Sequence, residues 1–164
     1  MMRRQPAVSY FDNAKIVTLE IDISAEDIPP VDVRPLEAPR PSQRVLLLED
    51  RDDFREVLSD HLGFRGFQVI AVPSGVEGLG EIRKGFFDLI ICDMLMPRSG
   101  GEMFYWAATR MRPATAQRFI FFTGHQNQPA IDFFFKRVNA TVLLKPFKLS
   151  EFDAKIGDVL RRLA

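Results

Sequence analysis

The sequence predicts a three-layer α/β/α domain on a five-stranded parallel sheet, preceded by an extension of different character. Three observations predict it. Short apolar runs recur along the chain with room for one helix between each pair, the spacing of β-α-β units. Those runs are continuous rather than alternating, so their strands are covered on both faces. The segments between them carry apolar residues at helical spacing, one stripe each.

Residues 1–43 form the extension. From Ala14 to Ile23 the chain alternates, with Val17, Leu19, Ile21 and Ile23 on one side and Thr18, Glu20 and Asp22 on the other. This reads as a half-buried strand. Five prolines in residues 25–42 then favour an extended, semi-rigid linker and put the boundary near Ser42. A lone strand cannot bury its face, so 14–23 must join a sheet edge, pair with another chain or stay loose.

Residues 44–164 are regular. Val45–Leu48 reads as a buried strand. Phe54, Val57, Leu58, His61 and Leu62 follow at helical spacing, with Asp52 as the expected cap. Gly63 and Gly66 precede a second strand, Phe67–Val72. Ser74 can cap a helix running to Lys84, although Gly78 and Gly80 weaken it. Strand three is Asp88–Cys92. After Gly100-Gly101 a helix carries Met103, Phe104, Ala107 and Met111 and stops before Pro113. Strand four is Phe119–Phe122, followed by a helix over 128–138. Strand five is Thr141–Leu144. The last helix places Leu149, Phe152, Ile156, Val159, Leu160 and Leu163 on one stripe.

The totals narrow the function classes. A chain of 164 residues fits one domain with an appendage, and 46% apolar residues can build its core. Fifteen phenylalanines against two tyrosines and one tryptophan point to aromatic packing rather than a wet binding face. Lys+Arg and Asp+Glu both number 22, which argues against a general polyanion binder, and no direct nucleic-acid contact is expected. Cys92 is the only cysteine, so no intrachain disulfide forms. No apolar run approaches the ~18 residues of a membrane span, and Met-Met-Arg-Arg-Gln-Pro lacks the apolar stretch of a signal peptide. The expectation is a cytoplasmic protein without membrane contact.

If the five strands are parallel, their carboxyl ends line one edge, where open sheets place ligands. Glu49 and Asp50 follow the first strand, Asp93 the third, Thr123 the fourth and Lys145 the fifth. Each polar group directly follows an apolar run. Any one of them has a plain structural reading, as a cap or a snorkelling lysine. Together they form a site. Three carboxylates within a few ångströms repel one another unless a cation joins them. Hard oxygen donors with an incomplete protein shell suit Mg²⁺. Thr123 offers a hydroxyl and Lys145 an ammonium. With a metal they can neutralise the oxygens of a transferring phosphoryl group, leaving Asp93 as the carboxylate nucleophile.

These residues carry a resemblance to the receiver domain of two-component response regulators, the CheY-like family. The matching motifs are Glu49-Asp50, the loop Asp93-Met-Leu-Met-Pro97 with Gly100-Gly101 after it, Phe122-Thr123-Gly124, and Leu144-Lys145-Pro146-Phe147. The separations match as well: 43 positions from Asp50 to Asp93, 30 to Thr123 and 22 to Lys145. The resemblance covers about three quarters of the chain. It implies a flavodoxin-like fold with strand order 2-1-3-4-5 and a cis Lys145–Pro146 bond. It implies that Asp93 accepts a phosphoryl group from a histidine kinase or a histidine phosphotransfer protein. Glu49, Asp50, Asp93 and the Leu95 carbonyl would hold Mg²⁺, with Mn²⁺ able to substitute and Glu49 acting through a water. Thr123 and Lys145 would bind phosphoryl oxygens. No separate enzymatic activity is expected beyond self-phosphotransfer and autodephosphorylation at Asp93.

The chain also departs from the family. Glu49-Asp50 stands where Asp-Asp is commoner. Val142 occupies a position where the family often has an aromatic switch residue, so a signal must leave by another route or through the fourth-helix surface alone. His125 can influence the attacking water, or it is simply a loop histidine facing solvent. Phe133, Phe134 and Phe135 cannot all point inward from one helix, so at least one marks a partner surface, with a homodimer as one option. Other readings fit less well. An FMN protein needs a neutral loop where residues 49–53 are acidic. A haloacid-dehalogenase phosphatase needs a second acid where Leu95 stands. His61 lies on a short helix unlike that of a histidine phosphodonor. With nothing after the last helix, no output domain is expected. Two further readings stay open: an inert pseudo-receiver acting as an interaction module, and the terminal receiver of a hybrid kinase.

Overall fold

The computed structural model describes residues 8–12, 15–19, 43–97, 99–124 and 128–164. The chain divides into two compact units, Met1–Leu36 and Glu37–Ala164. In the first, β1 (Val8–Asp12) and β2 (Lys15–Leu19) pair antiparallel, with Tyr10 opposite Val17. This corrects the lone strand expected over 14–23. Its described part is Lys15–Leu19, and the ladder partner lies just upstream in the same chain. Val-Ser-Tyr-Phe-Asp alternates too weakly for the sequence to flag it. Residues 20–42 lie outside the described residues.

The second unit runs β3 (Arg44–Leu48), α1 (Asp52–Phe64), β4 (Gln68–Val72), α2 (Gly75–Lys84), β5 (Leu89–Asp93), α3 (Gly101–Met111), a 3-10 turn (Pro113–Arg118), β6 (Phe119–Thr123), α4 (Pro129–Val138), β7 (Thr141–Leu144) and α5 (Leu149–Leu163). The five core strands are parallel in the order β4-β3-β5-β6-β7, which is 2-1-3-4-5 counted from Arg44. The resemblance implied this order. Lys145–Pro146 is cis.

The side-chain period of two splits each strand between two cores. Leu46, Leu48, Ile90, Cys92, Phe119 and Phe121 pack with α2, α3 and α4 through Ile82, Phe104, Tyr105, Ala108, Ile131 and Phe134. Val45, Leu47, Ile91, Ile120, Phe122 and Leu143 pack with α1 and α5 through Leu58, Leu62, Phe152, Ile156 and Val159. Burial on both faces explains why these strands read as continuous apolar runs. The phenylalanines fill the first core with rings in contact: Tyr105 meets Phe119 at 4.9 Å between centroids, and Phe121 meets Phe134 at 5.5 Å.

Some local readings change. The N-cap of α1 is Arg51, without a side-chain cap; Asp52 is the first helical residue, where its carboxylate suits the helix dipole and pairs with Arg55. Ser74 does cap α2, accepting from the Glu77 amide at 3.4 Å. Gly78 breaks no helix. A Cβ there would meet Leu48 Cδ2 at 2.6 Å and Phe104 Cε2 at 2.9 Å, so the glycine lets α2 press onto β3 and α3. His61 joins α1 to α5 through Asp153 Oδ1 at 2.8 Å, and Arg65 holds the other oxygen. On α4, Phe134 is buried, Phe135 half-buried and Phe133 67% exposed, the divergence expected of adjacent helical residues.

Candidate functional site

The carboxyl ends of β3, β5, β6 and β7 meet at one edge because their registers are nearly level. Leu48 lies opposite Cys92, Asp93 opposite Phe122, and Thr123 opposite Leu144. Hydrogen bonds continue past the ladders and fix the loops. Glu49 donates its amide to the Val72 carbonyl at 3.2 Å, Met94 to Phe122 at 3.0 Å and Lys145 to Thr123 at 2.8 Å. These bonds draw the polar residues Glu49, Asp93 and Thr123 at the ends of the buried runs into the protein. Glu49 is fully buried, and Asp93 and Thr123 are nearly so.

Lys145 ties the edge together. Its ammonium donates to Asp93 Oδ2 at 2.7 Å and to Glu49 Oε2 at 2.9 Å. It also lies 4.8 Å from the Phe54 ring centroid and 5.4 Å from that of Phe122. Asp93 Oδ1 accepts from the Leu95 amide at 3.0 Å. Glu49 Oε1 accepts from the Arg51 amide at 3.1 Å. Glu49, Asp50 and Asp93 each offer one carboxylate oxygen, and these atoms lie within 4.8 Å of one another.

The electrostatics follow from this crowding. Burial pushes the Glu49 carboxyl above its ordinary value; the Asp93 charge adds to the rise, and the hydrogen bonds from Lys145 and Arg51 oppose it. Burial alone would pull the Lys145 ammonium down, but its hydrogen bonds to Asp93 and Glu49 outweigh that and hold it above its usual range. Among the described residues, Lys145 is the one ammonium hydrogen-bonded to this cluster of three carboxyl groups. The donor set is all oxygen and clustered, which fits a small hard dication. Cys92, beside Asp93, is fully buried, and burial pushes its thiol far up, so it stays protonated.

All the residues picked out from the sequence sit at this edge: Glu49, Asp50, Asp93, Leu95, Thr123 and Lys145. His125 lies outside the described residues. Sequence reasoning missed two supports. Arg55 reaches back from α1 to donate to the Glu49 carbonyl at 2.8 Å. Gly101 lets α3 start against the Asp93 loop, since a Cβ there would meet the Asp93 carbonyl oxygen at 2.7 Å. Gly100-Gly101 was visible as a pair, but only the packing explains the second member. Nothing in the sequence marks Arg55.

Comparison with known proteins agrees with this architecture. The model of the response regulator receiver domain matches residues 45–157. The chain is 34% identical to the transcriptional activator protein PfeR of Pseudomonas aeruginosa over 123 residues, 75% of this chain and 39% of that protein. It is 30% identical to the transcriptional regulatory protein RprY of Bacteroides fragilis over 121 residues, 73% of this chain and 50% of that protein. It therefore spans half or less of the length of these two relatives. The crystallised chemotaxis protein CheY4 of Vibrio cholerae superposes with a TM-score of 0.62 at 27% identity, covering 75% of this chain and 99% of that one. The chain belongs to the response regulator receiver domain family of two-component signal transduction.

Proposed function

We propose that Asp93 is a phosphoacceptor, loaded from the phosphohistidine of a sensor kinase or phosphotransfer protein. The observation that carries this is the contact of Lys145 with both Asp93 and Glu49, beside a cluster that also contains Asp50. An Asp93 carboxylate oxygen attacks phosphorus, the P–N bond breaks, and its electron pair leaves with the imidazole. Lys145 moves its hydrogen bonds from carboxylate to phosphoryl oxygen, and Thr123 offers its hydroxyl to another. Glu49, Asp50, Asp93 and the Leu95 carbonyl would hold Mg²⁺, or Mn²⁺ in its place. The metal supplies charge neutralisation for the incoming phosphoryl group. Residues 44–164 are the signalling domain. The exposed Phe133 on α4 supports a protein partner on that face, with a second copy as one such partner.

Intact mass after incubation with acetyl phosphate tests the assignment. The protein should gain one phosphate when Mg²⁺ is present, and none in EDTA or in Asp93→Asn. An Asp93→Asn protein that gains the same phosphate sinks the proposal. Beryllofluoride with Mg²⁺ should raise the melting temperature, since it binds only the native state; no shift would favour an inert pseudo-receiver. Sedimentation of the beryllofluoride form against Phe133→Ser tests the α4 face.

A further inference from the structure

We propose that Arg55 is a positioning residue that holds Asp50 in place for the divalent cation; the inference rests on the phosphoacceptor reading of the same edge. The three acids of the cluster are not held alike. Glu49 accepts from Lys145 on one carboxylate oxygen and from the Arg51 amide on the other. Asp93 accepts from Lys145 and from the Leu95 amide. The half-buried Asp50 carboxylate accepts no hydrogen bond among the described residues, yet one of its oxygens lies within 4.8 Å of those offered by Glu49 and Asp93. Its place is set by the backbone that carries it.

Arg55 holds that backbone. Its Nη1 donates to the Glu49 carbonyl at 2.8 Å and lies 3.5 Å from the Asp50 carbonyl oxygen, a weaker contact. These two carbonyls flank the Asp50 Cα, so one guanidinium nitrogen reaches both peptide planes that orient the side chain. Nη2 donates to Asp52 Oδ1 and fixes the guanidinium from its other side. The Arg55 side chain is only 19% exposed. Helix stabilisation does not account for this placement. Arg55 is the fourth residue of α1, and a cation near a helix N-terminus opposes the helix dipole. Charge alone does not account for it either. A guanidinium near a cation site repels the cation, so a purely electrostatic role predicts tighter cation binding once Arg55 is removed. Positioning predicts the opposite sign. Without Arg55 the Glu49 carbonyl loses its donor, and the loop can turn Asp50 away from its neighbours.

The test is Mn²⁺ binding by the whole 164-residue protein without a phosphodonor, read from the electron paramagnetic resonance of free Mn²⁺. Arg55→Met should bind about tenfold more weakly than the wild type, as when a residue supporting a metal ligand is removed. Arg55→Lys keeps a donor for the Glu49 carbonyl and should recover part of that loss. Asp50→Asn should weaken binding at least as much as Arg55→Met. Adding Arg55→Met to Asp50→Asn should then cost little more, because Arg55 acts through Asp50. Metal-free melts fix a working temperature at which each variant is folded. If Arg55→Met does not fold, Arg55→Lys carries the comparison, again with binding weaker than the wild type. Binding by the Arg55 variants that equals or exceeds the wild type overturns the inference and leaves the phosphoacceptor reading standing. So does a full further loss when Arg55→Met is added to Asp50→Asn. A wild type that binds no Mn²⁺, or an Asp50→Asn protein that binds it undiminished, overturns the metal reading of the cluster and this inference with it.

Discussion

At the residue scale, the carboxyl edge of the sheet gathers three carboxyl groups around Lys145. Among the described residues, Lys145 is the one ammonium paired with buried Glu49 and with Asp93. Replacing it with Met leaves a carboxylate buried without its partner. The cost should be about 1–3 kcal/mol in metal-free protein, less than the ~3–5 of a fully buried broken pair because Lys145 is 23% exposed. Urea melts with and without Mg²⁺ check this: the metal should restore part of the loss, and an Mg²⁺-independent cost would argue against a shared charge site. Glu49 makes the site pH-dependent. Its folded value lies above the ordinary 4.5, so its contribution to stability is present below that value and fades as pH rises through the folded one. On the proposed reading Glu49 helps to hold the cation as a carboxylate, so its proton has to leave first. The rise in melting temperature on adding Mg²⁺ should therefore be larger at about pH 7.5 than at about pH 5. An increment that does not change with pH would remove Glu49 from the metal site.

At the element scale, α2 contains two glycines with opposite roles. Gly80 faces open space, and alanine there should stabilise the protein by about 0.5–1 kcal/mol through helix propensity. Gly78 lies against Leu48 and Phe104, and alanine there should cost about 1–3 kcal/mol by overpacking. Chemical denaturation of the two variants side by side separates propensity from packing. Helix α4 offers a similar contrast. Phe134→Ala empties a buried position and should cost about 3–5 kcal/mol, whereas Phe133→Ser should stay within about 0.5 kcal/mol. A large loss from Phe133→Ser would mean that its ring packs within the domain and is no free docking surface.

At the scale of the molecule, the two cores, among the described residues, are built from side chains between Val45 and Leu163. A fragment of residues 44–164 should therefore fold in one cooperative transition, with a melting temperature within a few degrees of the full chain. Circular dichroism melts decide it. A fragment that fails to fold would assign residues 1–43 a structural role. The element order, the parallel sheet and the polar residues at its carboxyl edge were legible in the sequence. Buried parallel strands must be apolar throughout, and an acid, threonine or lysine directly after such a run has only the edge to occupy. Lone acids such as Asp93 were ambiguous singly and became legible as a set. Other features depended on contacts between residues far apart in sequence. Lys145 reaches Glu49 and Asp93 across the sheet, Arg55 folds back on Glu49, Gly78 and Gly101 admit neighbouring elements, and Val8–Asp12 completes the hairpin with β2. The sequence by itself determined which residues face the core and which strand ends carry charge, because periodicity is local. Only the tertiary structure decided which of those charges meet and which glycines are contacts, because distances between elements are set by packing.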